Sequence, residues 1–408
     1  MAQNTRDQEQ TATQASTLEV SRGEDDVSVS PELAPFAYTN WKAMEGGASS
    51  NTAYECGMFT DAHILSTIKE GYGPYQLFNT VSIRDVHKSR PAIILRIAEY
   101  RSDEPDLMRQ RKTNVERYHG GGLADEVAAL ISLCLGIRLK CGGVTRLFES
   151  SGDTRGWPVS LDNHADPIVP ELLRTPVLPR ALGQHSLDDA TALTQLTRIT
   201  PRQAVALVRA ARMYQEGLWI AESSPETSWL LFVSAIETAA LCHFGLIESV
   251  ADQVTKLEVA KPELVAHIKE HGGSALVSEV AGAFAASFGV TQRFVKFVIA
   301  FLPEPPDVRP PDFYQHRWSK TAMRESVNKI YEYRSKALHE GIPFPAPMCH
   351  SPWTAGDGVF AEKFHAFAMG TQGGVWQAED IPMLLHTFEY IVRKVLLRWW
   401  QSMAAGNA

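Results

Sequence analysis

Apolar residues recur at helical spacing through most of the second half of the chain. Leu207, Ala211, Tyr214 and Leu218 share one face of a helix that Pro201 opens and that runs through Ala221. A second helix is expected over Glu226–Phe244, and one or two more over Leu246–His271, ended by Gly272-Gly273. Ala275–Phe301 is apolar and helical, and Pro303–Pro311 breaks it. Thr321–His339 carries Val327, Ile330, Tyr331 and Leu338 as a stripe and stops at Gly341 and Pro343. After a Gly/Pro-rich excursion over 341–375, Ile381–Trp400 closes the series with Leu384, Phe388, Ile391, Val395 and Trp399 on one side.

The first half alternates instead. Pro91–Tyr100 reads as a strand from Ile94 onward. Arg101–Arg117 reads as a loop or short exposed helix, and Leu123–Leu135 as a helix with Asp125 and Glu126 in its first turn. Gly136–Glu149 is expected as a strand pair broken at Gly142-Gly143. The fold class that follows is α+β: an N-terminal mixed α/β domain, then a C-terminal all-α bundle. The boundaries are a disordered tail over 1–35, an α+β domain over 36–180, a linker over 181–200 and the helical domain over 201–408.

Composition narrows the function classes. The chain has 408 residues, 44% hydrophobic and 21% charged, which suits an ordinary soluble protein. A net charge of -8 argues against a general nucleic-acid coat and leaves room for a local basic site. The five cysteines (56, 134, 141, 242, 349) form no CxxC pair and read as reduced thiols. The polar N-terminus has no apolar core of a secretory signal, and the longest apolar run, Trp229–Phe244, contains Glu237. A cytoplasmic protein with no membrane association is the expectation.

The chemistry concentrates at Tyr331–Pro343. Arg334 falls on the apolar stripe, where a guanidinium is costly unless paired or used. His339 follows five residues later, about 140° further round an ideal helix, so a loosened final turn would be needed to bring both into one cleft. R-x4-H is weak alone: roughly one match is expected by chance, Arg180/His185 is another, and Arg309/His316 is an R-x6-H, both in Pro-rich context. Glu237 sits on the stripe Leu230, Val233, Glu237, Leu241 of the earlier helix. Two opposite charges on neighbouring packing faces are cheapest together, so Glu237 is expected within salt-bridge reach of Arg334, against the alternative that each snorkels to water.

The string YRSKALHEG, the run SWLLFVSAIETAALCHF and the helical character from roughly Pro201 to Trp400 resemble the HEPN superfamily, in particular its Apea-like branch. The resemblance implies a helical bundle whose R-x4-6-H motif cleaves RNA without a metal, usually across a homodimer. Arg334 and His339 match that motif. The residue after the Arg is often Asn, Asp or His in the family and is Ser335 here. Family members commonly act in toxin or anti-phage systems, which implies RNA as substrate and a protein or phage-derived trigger at the N-terminal domain. Some are non-catalytic RNA-, nucleotide- or protein-binding modules, which is the rival reading.

Other motifs weigh less. His267-Ile-Lys-Glu270-His271 matches H-x-x-E-H, but the glycines that follow end the helix and no third ligand is evident, so a solvated helix end is favoured over zinc. His119-Gly-Gly-Gly122 matches an esterase oxyanion loop, yet no G-x-S-x-G elbow accompanies it. No Walker A or G-x-G-x-x-G string occurs, so no cofactor and no metal are expected. Arg393, Lys394, Arg398, Trp399 and Trp400 read as core aromatics flanked by a charged face rather than as an RNA platform.

Overall fold

The computed structural model describes residues 33–407 apart from 51, 67, 81–90, 101–112, 150–152, 160–165, 171–174, 246–248, 285–288, 357–358 and 372. The tail over 1–32 and most of the charged stretch after Arg101 lie outside the described residues. Residues 33–408 form one compact unit.

The first layer is a sheet with one helix before it and one inside its sequence. α1 (Phe36–Glu45) precedes β1 (Thr52–Phe59), β2 (His63–Leu65), β3 (Ile68–Tyr72), β4 (Tyr75–Asn79) and β5 (Ile93–Glu99). α2 (Leu123–Leu135), β6 (Lys140–Phe148), β7 (Trp157–Pro158) and β8 (Gln184–Ser186) follow. The sheet order is β3-β4-β5-β1-β6-β7, with every neighbour antiparallel. The alternation of β5 does what its sequence requires: Ile93, Leu95 and Ile97 are buried while Ile94 and Arg96 are not. Glu126 spends its first-turn carboxylate on another helix, accepting from the Phe36 and Ala37 backbone N–H groups at the start of α1. His119 bonds the same carboxylate at 2.6 Å, and the glycines after it make the turn into α2.

Gly142 and Gly143 do not break a strand pair. β6 runs continuously through them, with register shifts against β1 at Glu55/Cys56 and Cys56/Met58. A Cβ at Gly142 would meet the Phe59 ring at 2.7 Å, so the glycine admits a close neighbour rather than a turn. The expected linker is also packed. Its 3₁₀ segment, Leu187–Arg198, buries Leu187, Leu193 and Leu196 completely, and β8 pairs in parallel with β2.

The helical part is α3 (Pro201–Ile220), α4 (Pro225–Phe244), α5 (Val250–Ala260), α6 (Pro262–Phe284), α7 (Val290–Ala300), α8 (Lys320–His339) and α9 (Leu385–Gly406). It is not purely α, because β9 (Ala368–Thr371) and β10 (Gly374–Gln377) form a hairpin inside the excursion before α9. α6 bends at Gly273, whose φ of 69° interrupts the helix, and then resumes. α3 and α4 approach so closely that a Cβ at Gly217 would meet the Phe232 ring at 2.6 Å. Trp229 stacks on Phe344 and Phe388 at the centre, and one apolar cluster extends from Ala34 to Ala404 through both layers. By length and composition α4 could cross a membrane; here it packs against α3, α7, α8 and α9.

Buried polar groups weld the layers. Arg138 is fully buried and meets Asp61 at 2.8 Å and Glu222 at 3.2 Å. Arg393 donates to the Leu133 and Cys134 carbonyls at the end of α2, where a cation suits the helix dipole. Trp399 and Trp400 are fully buried, as core residues. Tyr214 of α3 donates to Glu389 of α9, whose carboxyl is pushed above its usual range by burial. The sign is clear: a carboxyl with a raised folded pKa loses stability as pH rises through and above the unfolded value of 4.5. Glu389→Gln is therefore expected to gain stability relative to wild type as pH is raised from 4 to 8, measured by urea unfolding; a constant difference across that range would count against this.

Candidate functional site

Ser319 caps α8 by accepting from the Ala322 N–H, and Met323, Val327, Ile330 and Tyr331 bury the face that follows. Arg334 lies one turn beyond Ile330 on that face. On α4 the corresponding face buries Val233 and Ile236 and then reaches Glu237. The two charges meet where both faces leave the core. Arg334 Nη2 donates to Glu237 Oε2 at 2.7 Å, with 19% and 16% of the two side chains exposed. The expected pair forms, and neither side chain snorkels away from the other.

A third residue completes the cluster. Tyr331 donates its hydroxyl to Glu237 Oε1 at 2.8 Å. Burial, then the neighbouring carboxylate, pushes its pKa up to about 12, so it stays a neutral donor. The Arg334 guanidinium lies 5.4 Å from the centre of the Tyr331 ring, and its buried Nε has no hydrogen-bond partner. Phe294 of α7 packs on Tyr331 at 5.1 Å. Beside Glu237 a cleft of about 260 Å³ opens between α4 and α7, lined also by Thr238, Leu241, Val290 and Arg293. Tyr331 was legible only as a stripe residue, and Arg293 carried no signal in the sequence.

His339 stands apart. α8 stays helical to His339, and the Glu340 and Ile342 N–H groups close onto the Lys336 carbonyl before Gly341 turns at φ 69°. The final turn does not loosen, so the offset of about 140° persists and His339 is exposed to solvent rather than sharing a cleft with Arg334. Past the ion pair the two faces carry exposed apolar residues. Leu241 and Leu338, each one turn further on, are 45% and 52% exposed. The stripe read from the sequence therefore runs out of the core on both helices, one turn beyond each partner of the ion pair.

The other motifs fall elsewhere. His267, Glu270 and His271 keep their ligand atoms within 4.8 Å of one another, all exposed, with His271 Nδ1 bonding the His267 carbonyl. Three exposed ligands on one helix surface offer no closed or shielded centre. His185 bonds the Arg180 carbonyl at 3.1 Å as a turn contact. Arg309 and His316, discounted as a motif for their Pro-rich context, are tied together: Arg309 Nη2 donates to the His316 carbonyl at 2.7 Å. No family model, curated protein or solved structure matches the chain.

A charge pair at a half-buried helix crossing has a measurable coupling. A double-mutant cycle of Glu237→Gln and Arg334→Gln is expected to give an interaction energy of about 1–3 kcal/mol in urea unfolding. His339→Ala is expected to change stability by less than about 0.5 kcal/mol. Coupling near zero would mean that the pair is only a surface contact.

Proposed function

We propose that the protein is a metal-independent endoribonuclease of the HEPN type, acting on RNA as a homodimer. The observation that carries this reading is the Glu237 carboxylate holding the Arg334 guanidinium at the rim of the core, one turn before a solvent-facing His339. A carboxylate fixes the planar fork in a set direction, which suits recognition of a phosphate better than a free-swinging Arg does. The resemblance of Tyr333–Gly341 to the R-x4-6-H motif supports the same assignment.

The proposed chemistry uses few groups. A ribose 2′-hydroxyl attacks the adjacent phosphorus, the O2′–P bond forms and the P–O5′ bond breaks. His339 of one copy takes the 2′-hydroxyl proton, and His339 of the other protonates the departing O5′. Arg334 stabilises the charge that grows on the phosphoryl oxygens. The products are a 2′,3′-cyclic phosphate and a 5′-hydroxyl. Because Arg334 and His339 diverge around α8, a second copy is required to complete the site. The exposed Leu241 and Leu338 beside it give that copy an apolar surface to cover. A toxin or defence role, with a trigger acting through the N-terminal layer, follows by analogy with the family.

A second reading has its own observation. Arg334 Nη2 and the Tyr331 hydroxyl are both already spent on Glu237, as they would be in a binding module whose cluster fixes the fold. Mixed RNA incubated with the purified protein in excess EDTA separates the two. The nuclease reading expects cyclic-phosphate ends from wild type and a loss of about 100-fold or more in His339→Ala that remains folded. RNA retained on a filter but left intact by wild type would select the binding module.

A further inference from the structure

The arm formed by α5 and α6 carries a donor set that the nuclease reading leaves unused. Its two helices pack on each other around Leu257, Val265, Val277 and Ala281, a small cluster separate from the main core. In the sequence, Gly272 and Gly273 speak against H-x-x-E-H by ending its helix. α6 instead stays helical through Gly272, bends at Gly273 and resumes. His267 and His271 are therefore one turn apart on a formed helix, with Glu270 on the same side.

The three side chains converge. One ligand atom of each lies within 4.8 Å of the others, and the two imidazole rings are 4.3 Å apart between centres. A tetrahedral ion at about 2.1 Å from each donor spaces the donors about 3.4 Å apart. All three side chains are exposed, so small rotations close that gap. The His271 ring is oriented for the task. Its Nδ1 bonds the His267 carbonyl at 3.0 Å. A carbonyl only accepts, so Nδ1 carries the proton, and Nε2 at the tip of the neutral ring is a lone pair. A bond from the second ring nitrogen to a backbone carbonyl is what fixes the tautomer and direction of metal-binding histidines. Glu270 lies 4.0 Å from His271 Nδ1, beyond hydrogen-bonding reach, so that nitrogen does not engage its carboxylate. Lys269, the basic residue inside the motif, bonds Glu258 of α5 at 2.8 Å instead of Glu270.

We propose that His267, Glu270 and His271 bind one divalent transition-metal ion of the zinc type, with water in the remaining position. Two imidazoles and a carboxylate select such an ion over calcium or magnesium, which take oxygen ligands. The centre is open to solvent: it is a surface clip and not a shielded catalytic site. By joining residues one turn apart, the ion braces the last turn before the Gly273 bend, in an arm with a small core of its own. The proposal does not depend on the nuclease reading, whose chemistry uses no metal.

Calorimetric titration of the metal-stripped full chain with zinc chloride at pH 7.5 tests this, with calcium chloride as the comparison. Zinc is expected to bind at this site with a Kd of about 10 µM or tighter. Calcium is expected to bind at least about tenfold more weakly. The double variant His267→Ala/His271→Ala is expected to lose the zinc binding by about tenfold or more. Its metal-free unfolding midpoint stays that of wild type, since both side chains are exposed. Glu270→Gln is expected to weaken zinc binding by about threefold or more. Amide exchange over 262–272 is expected to slow when zinc is added to wild type, and not when it is added to the double variant. No zinc binding at about 100 µM, undiminished binding by the double variant, or exchange over 262–272 that zinc leaves unchanged overturns the proposal. Zinc held as tightly by Glu270→Gln as by wild type overturns the three-ligand centre.

Discussion

A guanidinium taken out of water costs several kcal/mol unless a carboxylate meets it, and that constraint fixes how the parts of this protein join. Arg138 brings Asp61, just after β1, and Glu222, just after α3, to one point, so the sheet and the helices cannot drift apart without stranding a charge. Arg309 does the same between the segment entering α8 and the segment before α9, through Glu362. Arg334 joins α8 to α4 through Glu237. The apolar cluster supplies the bulk of the stability, and these pairs supply the register.

The pairs differ in what they leave over. Arg138 has two carboxylates and is fully buried, so it is structural. Arg309 is balanced by Glu362, and together they hold the His316 backbone in place. Arg334 lies at the edge of the core with Glu237 and Tyr331, and its fork is oriented but not enclosed. An oriented fork open to solvent suits the phosphate-binding role proposed for Arg334. α8 thus carries a rigid polar cluster at each end and an apolar face between them.

α3, α4, α8 and α9 were legible because each has a periodic face, with Pro201 opening α3 and Gly341 following the end of α8. α6 and α7 were not, since α6 continues through Gly272-Gly273, where an end was expected, and stops at Phe284, so that Ala275–Phe301 is not one helix. The Glu237–Arg334 pair was legible for the same reason, since a lone charge on each of two packing faces has one cheap solution. Glycine was harder to read. Gly142 looks like a turn in sequence and is a gap for the Phe59 ring in space. The packing of Leu187–Arg198 was hidden because a 3₁₀ path has no 3.6-residue signature. Arg309 and His316 were hidden because their meeting depends on Glu362, 46 residues past His316, and no local pattern encodes it. Leu338 and Leu241 fit their stripes, yet the stripe continues past the end of the core.

The central claim is that Arg334 is held for its fork and not for its charge. Arg334→Lys keeps the charge beside Glu237 and removes the planar, two-pronged donor. One preparation of this variant would be measured for both its unfolding midpoint and its initial rate of RNA cleavage. The expected result is a midpoint close to wild type with a rate lower by about 100-fold. A rate equal to wild type, or a rate and midpoint that fall together, would contradict the claim and leave Arg334 as part of the scaffold.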